Sequence, residues 1–424
     1  MEKKFKGNSK GQTRREFLKQ TALAGALAVS STTLGPFVAR GASKEPIKIG
    51  YPTNRSGVYA YLGAYEIMGA QLAVEETNQK GGVLGRPIEM ILEDTQANPS
   101  VAVQKATKLL DRDKVRCLVG GILSAEAFAV GDLAQQRQVV YVNTAANNDG
   151  QRCHRYVFAI DHSMTQMAYT LVPWLVKNRG HKWYFVNHTT PAAQFAAEKV
   201  GNMLKAAGGT ILGSDNVPLE TTDFSAFLNK IKAATPDLVF LCLGGIPGVN
   251  FLKQFKEFGL RGKIEVSGYT INQSDAWNMG IDTFTGVWAG LWYYKLKAPG
   301  SPEFTARFWK KFGKPPENDS WQGYIGIMTV VEAMRAASST EPKAMVEAVE
   351  KMRFDGYKGR PLYYRMLDHQ LMQPLYIMRA KKKEEAEDEW DHFAIIAEVP
   401  GPRESLESIA GKPEEMPCKG LEKF

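Results

Sequence analysis

Ile47-Lys48-Ile49-Gly50-Tyr51, a helical pattern over 67–79, and then Ile88-Glu89-Met90-Ile91-Leu92 set the reading of this chain. Short β-rich runs on either side of a helix argue for parallel strands joined by a covering crossover. Working outward, the alternation continues. Val101–Leu110 has apolar residues at three- and four-residue spacing, and Val115–Val119 and Val139–Val142 are strands either side of a helix from about Ser124. Tyr156–Ile160 closes this half, and the pattern then restarts. Helices over Met164–Val176, Gln194–Ala206, Phe224–Ala233 and Val249–Phe258 alternate with strands at Trp183–Val186, Thr210–Asn216, Leu238–Leu243 and Ile264–Val266. Two successive α/β segments of similar length predict two doubly wound parallel-sheet lobes without an internal sequence repeat. The last part departs from the alternation. Three helices (302–312, 321–337, 342–352) precede late strands near 362–364, 374–380 and 392–397. The charge run Lys381–Asp391 reads as a solvated hairpin tip, and the Pro-rich tail 401–424 as lacking regular structure.

The N-terminus carries a different message. A basic stretch leads to Thr13-Arg14-Arg15-Glu16-Phe17-Leu18-Lys19, followed by a mild Ala/Gly/Ser/Thr-rich run to Ala39. Paired Arg14 and Arg15 before such a run form the pattern read by the twin-arginine translocase, which exports folded chains. The run is too weak for a stable span, which needs roughly 20 strongly apolar residues. Residues 1–41 are therefore expected to be a signal, cleaved near Ala42 or kept as an anchor. They hold eight Lys/Arg against two Glu, so the formal charge of +8 falls to about +2 without them. No basic patch remains to recruit nucleic acid. The expected destination is the periplasm, where disulfides persist.

Motifs for common chemistries are missing. The six His show no metalloprotease spacing, and no nucleophile elbow, P-loop, Gly-rich dinucleotide turn or C-x-x-C pair occurs. No catalytic residue, metal or cofactor is assigned. Cys117 and Cys242 sit in apolar strand runs and read as core residues. Cys153 and Cys418 sit in polar, turn-like segments and are predicted to pair, tying the tail to the first half.

Particular residues add a family likeness. Ile47–Tyr51, Ser56-Gly57-Val58-Tyr59-Ala60, Asn78 through Ile88 with Asp94, Val119-Gly120-Gly121 with Ser124, and Leu367-Asp368-His369-Gln370 appear in order. The set resembles type I periplasmic solute-binding proteins, in particular the leucine/isoleucine/valine-binding branch serving ABC importers. That resemblance implies a two-lobed clamp joined by three crossover strands, placed near 160–163, 289–293 and 357–361. Lobe I would take 45–162 with 292–358, and lobe II 163–291 with 359–400. It also implies a small-molecule ligand, an amino acid or an aromatic or apolar carboxylate, and ABC permease subunits in the inner membrane as partners. The alternative is a sensory receptor of the same fold; an exported enzyme is least supported.

Ligands in open α/β sheets sit beyond the carboxyl ends of strands, near helix N-termini. Ser124 reads as an N-cap there, so Leu123–Ala125 would offer donors to a carboxylate. By resemblance, Ala145 and Asn147 match carboxylate-holding positions, Ser56, Tyr59 and Tyr61 the first-lobe wall, and Phe195 a closing aromatic. Gly245 and Ile246 belong to the loop after Leu243 that should oppose them. Leucine-specific relatives place an acid for the ligand's ammonium where this chain has Thr270, with no Asp or Glu until Asp275. A buried ammonium without a counter-charge is costly, which points away from a leucine-like amino acid.

Overall fold

In the computed structural model, residues 45–57, 59–145, 153–269, 271–415, 418, 420, 421 and 424 are described. Arg14 and Arg15, expected to belong to an export signal, and Asn147 and Thr270 lie outside them. The first sheet contains β1 (Ile47–Thr53), β2 (Ile88–Asp94), β3 (Cys117–Gly120), β4 (Tyr141–Asn143) and β5 (Val157–Ala159). Its order is β2-β1-β3-β4-β5, with every pairing parallel. β1, β3 and β4 are buried almost throughout, as strands covered on both faces must be. The helices between them are α1 (Ala60–Gln79), α2 (Pro99–Asp111) and α3 (Ser124–Arg137).

The second sheet repeats the same winding. It contains β6 (Lys182–His188), β7 (Thr210–Val217), β8 (Leu238–Cys242), β9 (Glu265–Gly268) and β10 (Val287–Gly290), ordered β7-β6-β8-β9-β10 and all parallel. Its helices are α4 (Met164–Arg179), α5 (Pro191–Ala206), α6 (Ser225–Ala234), α7 (Gly245–Glu257) and the short α8 (Gln273–Met279). Two late strands, β13 (Leu375–Ala380) and β14 (Phe393–Val399), extend this sheet antiparallel beyond β10, so it is mixed rather than purely parallel.

Between β10 and β13 the chain returns to the first sheet's side. It forms α9 (Ser301–Phe312), α10 (Asn318–Ala337) and α11 (Pro342–Lys351), then the small β11 (Tyr363–Tyr364) and β12 (Leu371–Met372) pair. α10 packs along α1, and glycines set the distance between them. A Cβ on Gly69 would fall 1.8 Å from the Ser320 carbonyl oxygen, and one on Gly323 2.1 Å from that of Glu66. Only two bare glycines permit this approach, which fixes the start of α10 against the floor of the first sheet.

Three passages join the sheets. The first leaves β5 at Ile160, whose carbonyl accepts from Gln373 Nε2 at 2.6 Å. The second leaves β10, and Asn318 Oδ1 accepts from Leu291 N at 3.1 Å and Trp292 N at 2.8 Å. The third runs later than residues 357–361, because Gln370 still bridges Ala159 beside β5 and β13 begins at Leu375.

Two expectations for the C-terminal part are corrected. The run 381–391 is not simply solvated. Asp391 is 0% exposed and accepts from Lys295 at 2.8 Å, Lys381 at 2.7 Å and the Tyr293 hydroxyl at 2.8 Å. These partners hold its carboxyl down to about 2 against the cost of burial. The tail forms short 3₁₀ turns at Leu406–Ile409 and Pro413–Glu415, with Leu406 and Ile409 buried. Cys153 and Cys418 form a disulfide with Cα atoms 5.3 Å apart, and Cys117 and Cys242 are buried free thiols.

Candidate functional site

The repeated winding determines where a ligand can sit. In each sheet the chain direction reverses beside the first strand, between β1 and β3 and again between β6 and β8. The crevice beyond the carboxyl ends at such a switch point is where loops diverge and leave room. A cavity of about 200 Å³ lies there. Tyr59, Tyr61 and Leu62 follow β1, and Ile122 and Leu123 follow β3. Gly244 and Gly245 follow β8, and Tyr269 and Asn272 follow β9. Asp161, His162 and Met164 enter from the first passage, and Asn318, Asp319 and Gln322 from the start of α10. Residues from both sheets thus face one another across a single space.

Carboxylates dominate its chemistry. Asp275 is 3% exposed; its Oδ1 accepts from the Tyr61 hydroxyl at 2.7 Å and its Oδ2 from Asn272 N at 3.0 Å. Burial raises its pKa, and those hydrogen bonds only partly oppose the rise. Asp319 is 9% exposed and raised by burial, with Asp161 and Asp275 adding repulsion. Fully buried Glu317 is raised strongly by burial and by Asp319. Burial and the neighbouring Asp275 also raise the Tyr61 hydroxyl, so it serves as a proton donor at neutral pH. Beneath the cavity, buried Glu66 accepts from Thr53 and Thr144 and is pushed up to about 8, mainly by burial. His162 Nδ1 lies 2.7 Å from Asp161 Oδ1. Among the described residues the lining contains no Lys or Arg.

A second hollow of about 390 Å³ adjoins it, sharing Tyr59, Gly244 and Gly245. Leu219, Ile246, Pro247 and His188 make its wall. Ile246 is 58% exposed, so this outer space is open and largely apolar.

Of the residues expected from sequence, Tyr59, Tyr61, Leu123 and Gly245 line the inner cavity, and Ile246 lines the outer one. Ser56 instead donates to Asp94 Oδ2 at 2.7 Å on the exposed rim. Ala145 is buried beside Asn143, and Phe195 is 41% exposed on α5; neither is part of either wall. Ser124 is not the N-cap. The left-handed turn at Gly120–Gly121 lets Leu123 take the extended cap conformation, making Ser124 the first helical residue. Thr270 lies outside the described residues, and the acids that line the cavity are Asp161, Asp275 and Asp319. Asp275 had a local signal, the N-x-x-D spacing from Asn272; Asp319 had none.

Comparison with known proteins agrees with this fold. The sequence pattern of the family described as periplasmic binding protein matches residues 46–385. The chain belongs to that family. A Leu/Ile/Val-binding protein homolog of Brucella abortus (strain 2308) is 26% identical over 330 residues, covering 73% of this chain and 81% of that one. A branched-chain amino acid ABC transporter periplasmic ligand-binding protein of Burkholderia xenovorans LB400 superposes with a TM-score of 0.79 at 28% identity, covering 88% and 99%. A solute-binding protein of an ABC transporter from Rhodopseudomonas palustris BisB5, in complex with 3,4-dihydroxybenzoic acid, gives 0.74 at 25%, covering 84% and 97%. This periplasmic binding protein therefore has the type I fold of the branched-chain amino-acid branch. No helix among its described residues is long and apolar enough to cross a membrane.

Proposed function

We propose that this periplasmic binding protein is the solute-capturing component of an ABC importer, and that it closes on a small ammonium-bearing solute of the amino-acid class. The observation that carries the reading is the pair of buried acids, Asp275 and Asp319, facing one cavity with no Lys or Arg in its described lining. Buried charge is retained where something pairs with it, and a cationic solute does so. The Tyr61 hydroxyl orients Asp275 toward the ammonium, and the N–H groups at the start of α3, around Leu123–Ala125, receive the carboxylate end. Closure would be a hinge motion about the three passages, with residues 45–162 and 292–374 moving against 163–291 and 375–400. Export by the Arg14–Arg15 signal to the periplasm, and delivery to permease subunits in the inner membrane, complete the reading. The same cleft could serve a sensory receptor.

A second reading is supported by the Rhodopseudomonas complex and by the tyrosines in the cavity, Tyr59, Tyr61 and Tyr269. Here the ligand is an aromatic carboxylate stacked between rings. The acids count against it, because a bare carboxylate would add a like charge. Thermal unfolding with a panel of amino acids, primary amines and aromatic acids separates the two. An upward shift in Tm with amino acids and none with benzoate supports the first reading, and the reverse supports the second. No shift with any of them contradicts both.

A further inference from the structure

We infer that the cavity has a second cationic subsite, built by Asp319 and Glu317, and that the solute carries a side-chain amine, amidine or guanidine besides its α-ammonium. This rests on the reading that the cleft takes an amino acid. Asp275 on α8 satisfies one positive charge, from the second sheet's side of the cavity. Asp319 stands on α10, from the first sheet's side, and has no role in that pairing.

The acids at the start of α10 are not accounted for by the helix. Glu317 caps it, with Oε1 accepting from Asp319 N at 3.2 Å. A helix N-terminus favours acidic groups in its first turn, Asp319 among them, where they are surface-exposed. It does not account for a second carboxyl placed against the first in a buried site. Glu317 and Asp319 hydrogen-bond each other as a carboxyl pair that shares a proton; Glu317 Oε2 and Asp319 Oδ2 are buried with no other partner, and Asp319 lines the cavity at 9% exposure. The nearby cations are engaged elsewhere. Lys314 Nζ lies over the Tyr65 ring, 3.8 Å from its centroid, and His162 faces Asp161. Among the described residues, no three His, Cys, Asp or Glu groups are placed to hold a metal ion. Separated acids on opposite walls suit an organic cation with two charged ends better than a compact ion. Such an end, with three donors as an ammonium or five as a guanidinium, can take the place of the proton that the two carboxyls share.

Calorimetric titration of the exported chain with lysine, ornithine, arginine and norleucine tests this, since norleucine matches lysine without its amine. The expected result is that the best of the three basic amino acids binds at least about 50-fold more tightly than norleucine. In a folded Asp319→Asn variant that preference should collapse to within about threefold. Glu317→Gln, which leaves Asp319 in place, should reduce the preference less. Equal binding of norleucine and the basic amino acids by the unaltered protein would overturn the subsite yet leave the amino-acid reading standing. Preference retained in a folded Asp319→Asn variant would do the same. Binding of benzoate with no amino acid bound would overturn both.

Discussion

The inner cavity and the outer hollow share Tyr59, Gly244 and Gly245 but solve opposite problems. The inner one places Asp275 and Asp319 out of water, where each charge needs a partner. The outer one is walled by Leu219, Ile246 and Pro247, which need none. The difference teaches where selectivity resides. A buried acid deprived of its partner costs several kcal/mol, whereas a half-exposed apolar side chain adds a few tenths, so the inner wall chooses the solute.

The largest effect is expected beneath the inner wall, and it is on stability. Glu66 is raised from an ordinary 4.5 to about 8 by burial. Below the lower value it is protonated in both folded and unfolded chains, so stability is full there. As pH rises toward 8 the unfolded chain ionises while the folded one holds its proton, and stability falls; above 8 it falls no further. Glu66→Gln removes that dependence. Denaturant unfolding at pH 5 and pH 8 should show the unaltered protein losing on the order of 4 kcal/mol relative to the variant, at about 1.4 kcal/mol per pKa unit. Parallel pH profiles would show that burial of Glu66 sets no such penalty.

Asp275→Asn should come next. It keeps the shape but removes the charge, and the affinity for the tightest-binding amino acid should drop by about 30- to 100-fold, or about 2–3 kcal/mol, by calorimetry. An unchanged affinity would move the ammonium away from α8. Tyr61→Phe removes only the hydroxyl that orients Asp275, and should cost about fivefold, near 1 kcal/mol. Ile246→Ala on the outer wall should change the same affinity by less than about twofold. A tenfold loss there would reverse the ranking of the two spaces.

Much of this architecture was legible because it is written in local pattern. Ile47–Tyr51, Leu238–Leu243 and the helices between such runs are apolar stretches of the right length, and the parallel sheets follow from their alternation. The antiparallel β13–β14 addition was less legible, since a late hairpin carries no sign of which sheet edge it will join. At the site, Leu123 and Gly245 were found because their loops follow strands, and Tyr59 and Tyr61 through the family resemblance. Asp319 was not. It reaches the cavity only because Gly69 and Gly323 let α10 lie close on α1, a contact between residues more than 250 positions apart. Asp391 was misread for a related reason: its partners include Lys295 and Tyr293, far from the charge run in sequence.

Buffer-dependent calorimetry of amino-acid and benzoate binding tests the central claim most directly. Because Asp275 and Asp319 have raised pKa values in the empty cavity, a cationic solute should displace protons from them. The ionisable groups that face this pair are Glu317, Asp161, His162, Lys314 and Tyr61. The account predicts that an amino acid binds with net proton release near neutral pH, with affinity rising as pH is raised, and that benzoate does not bind. Benzoate binding with proton uptake, and no binding by any amino acid, would contradict it.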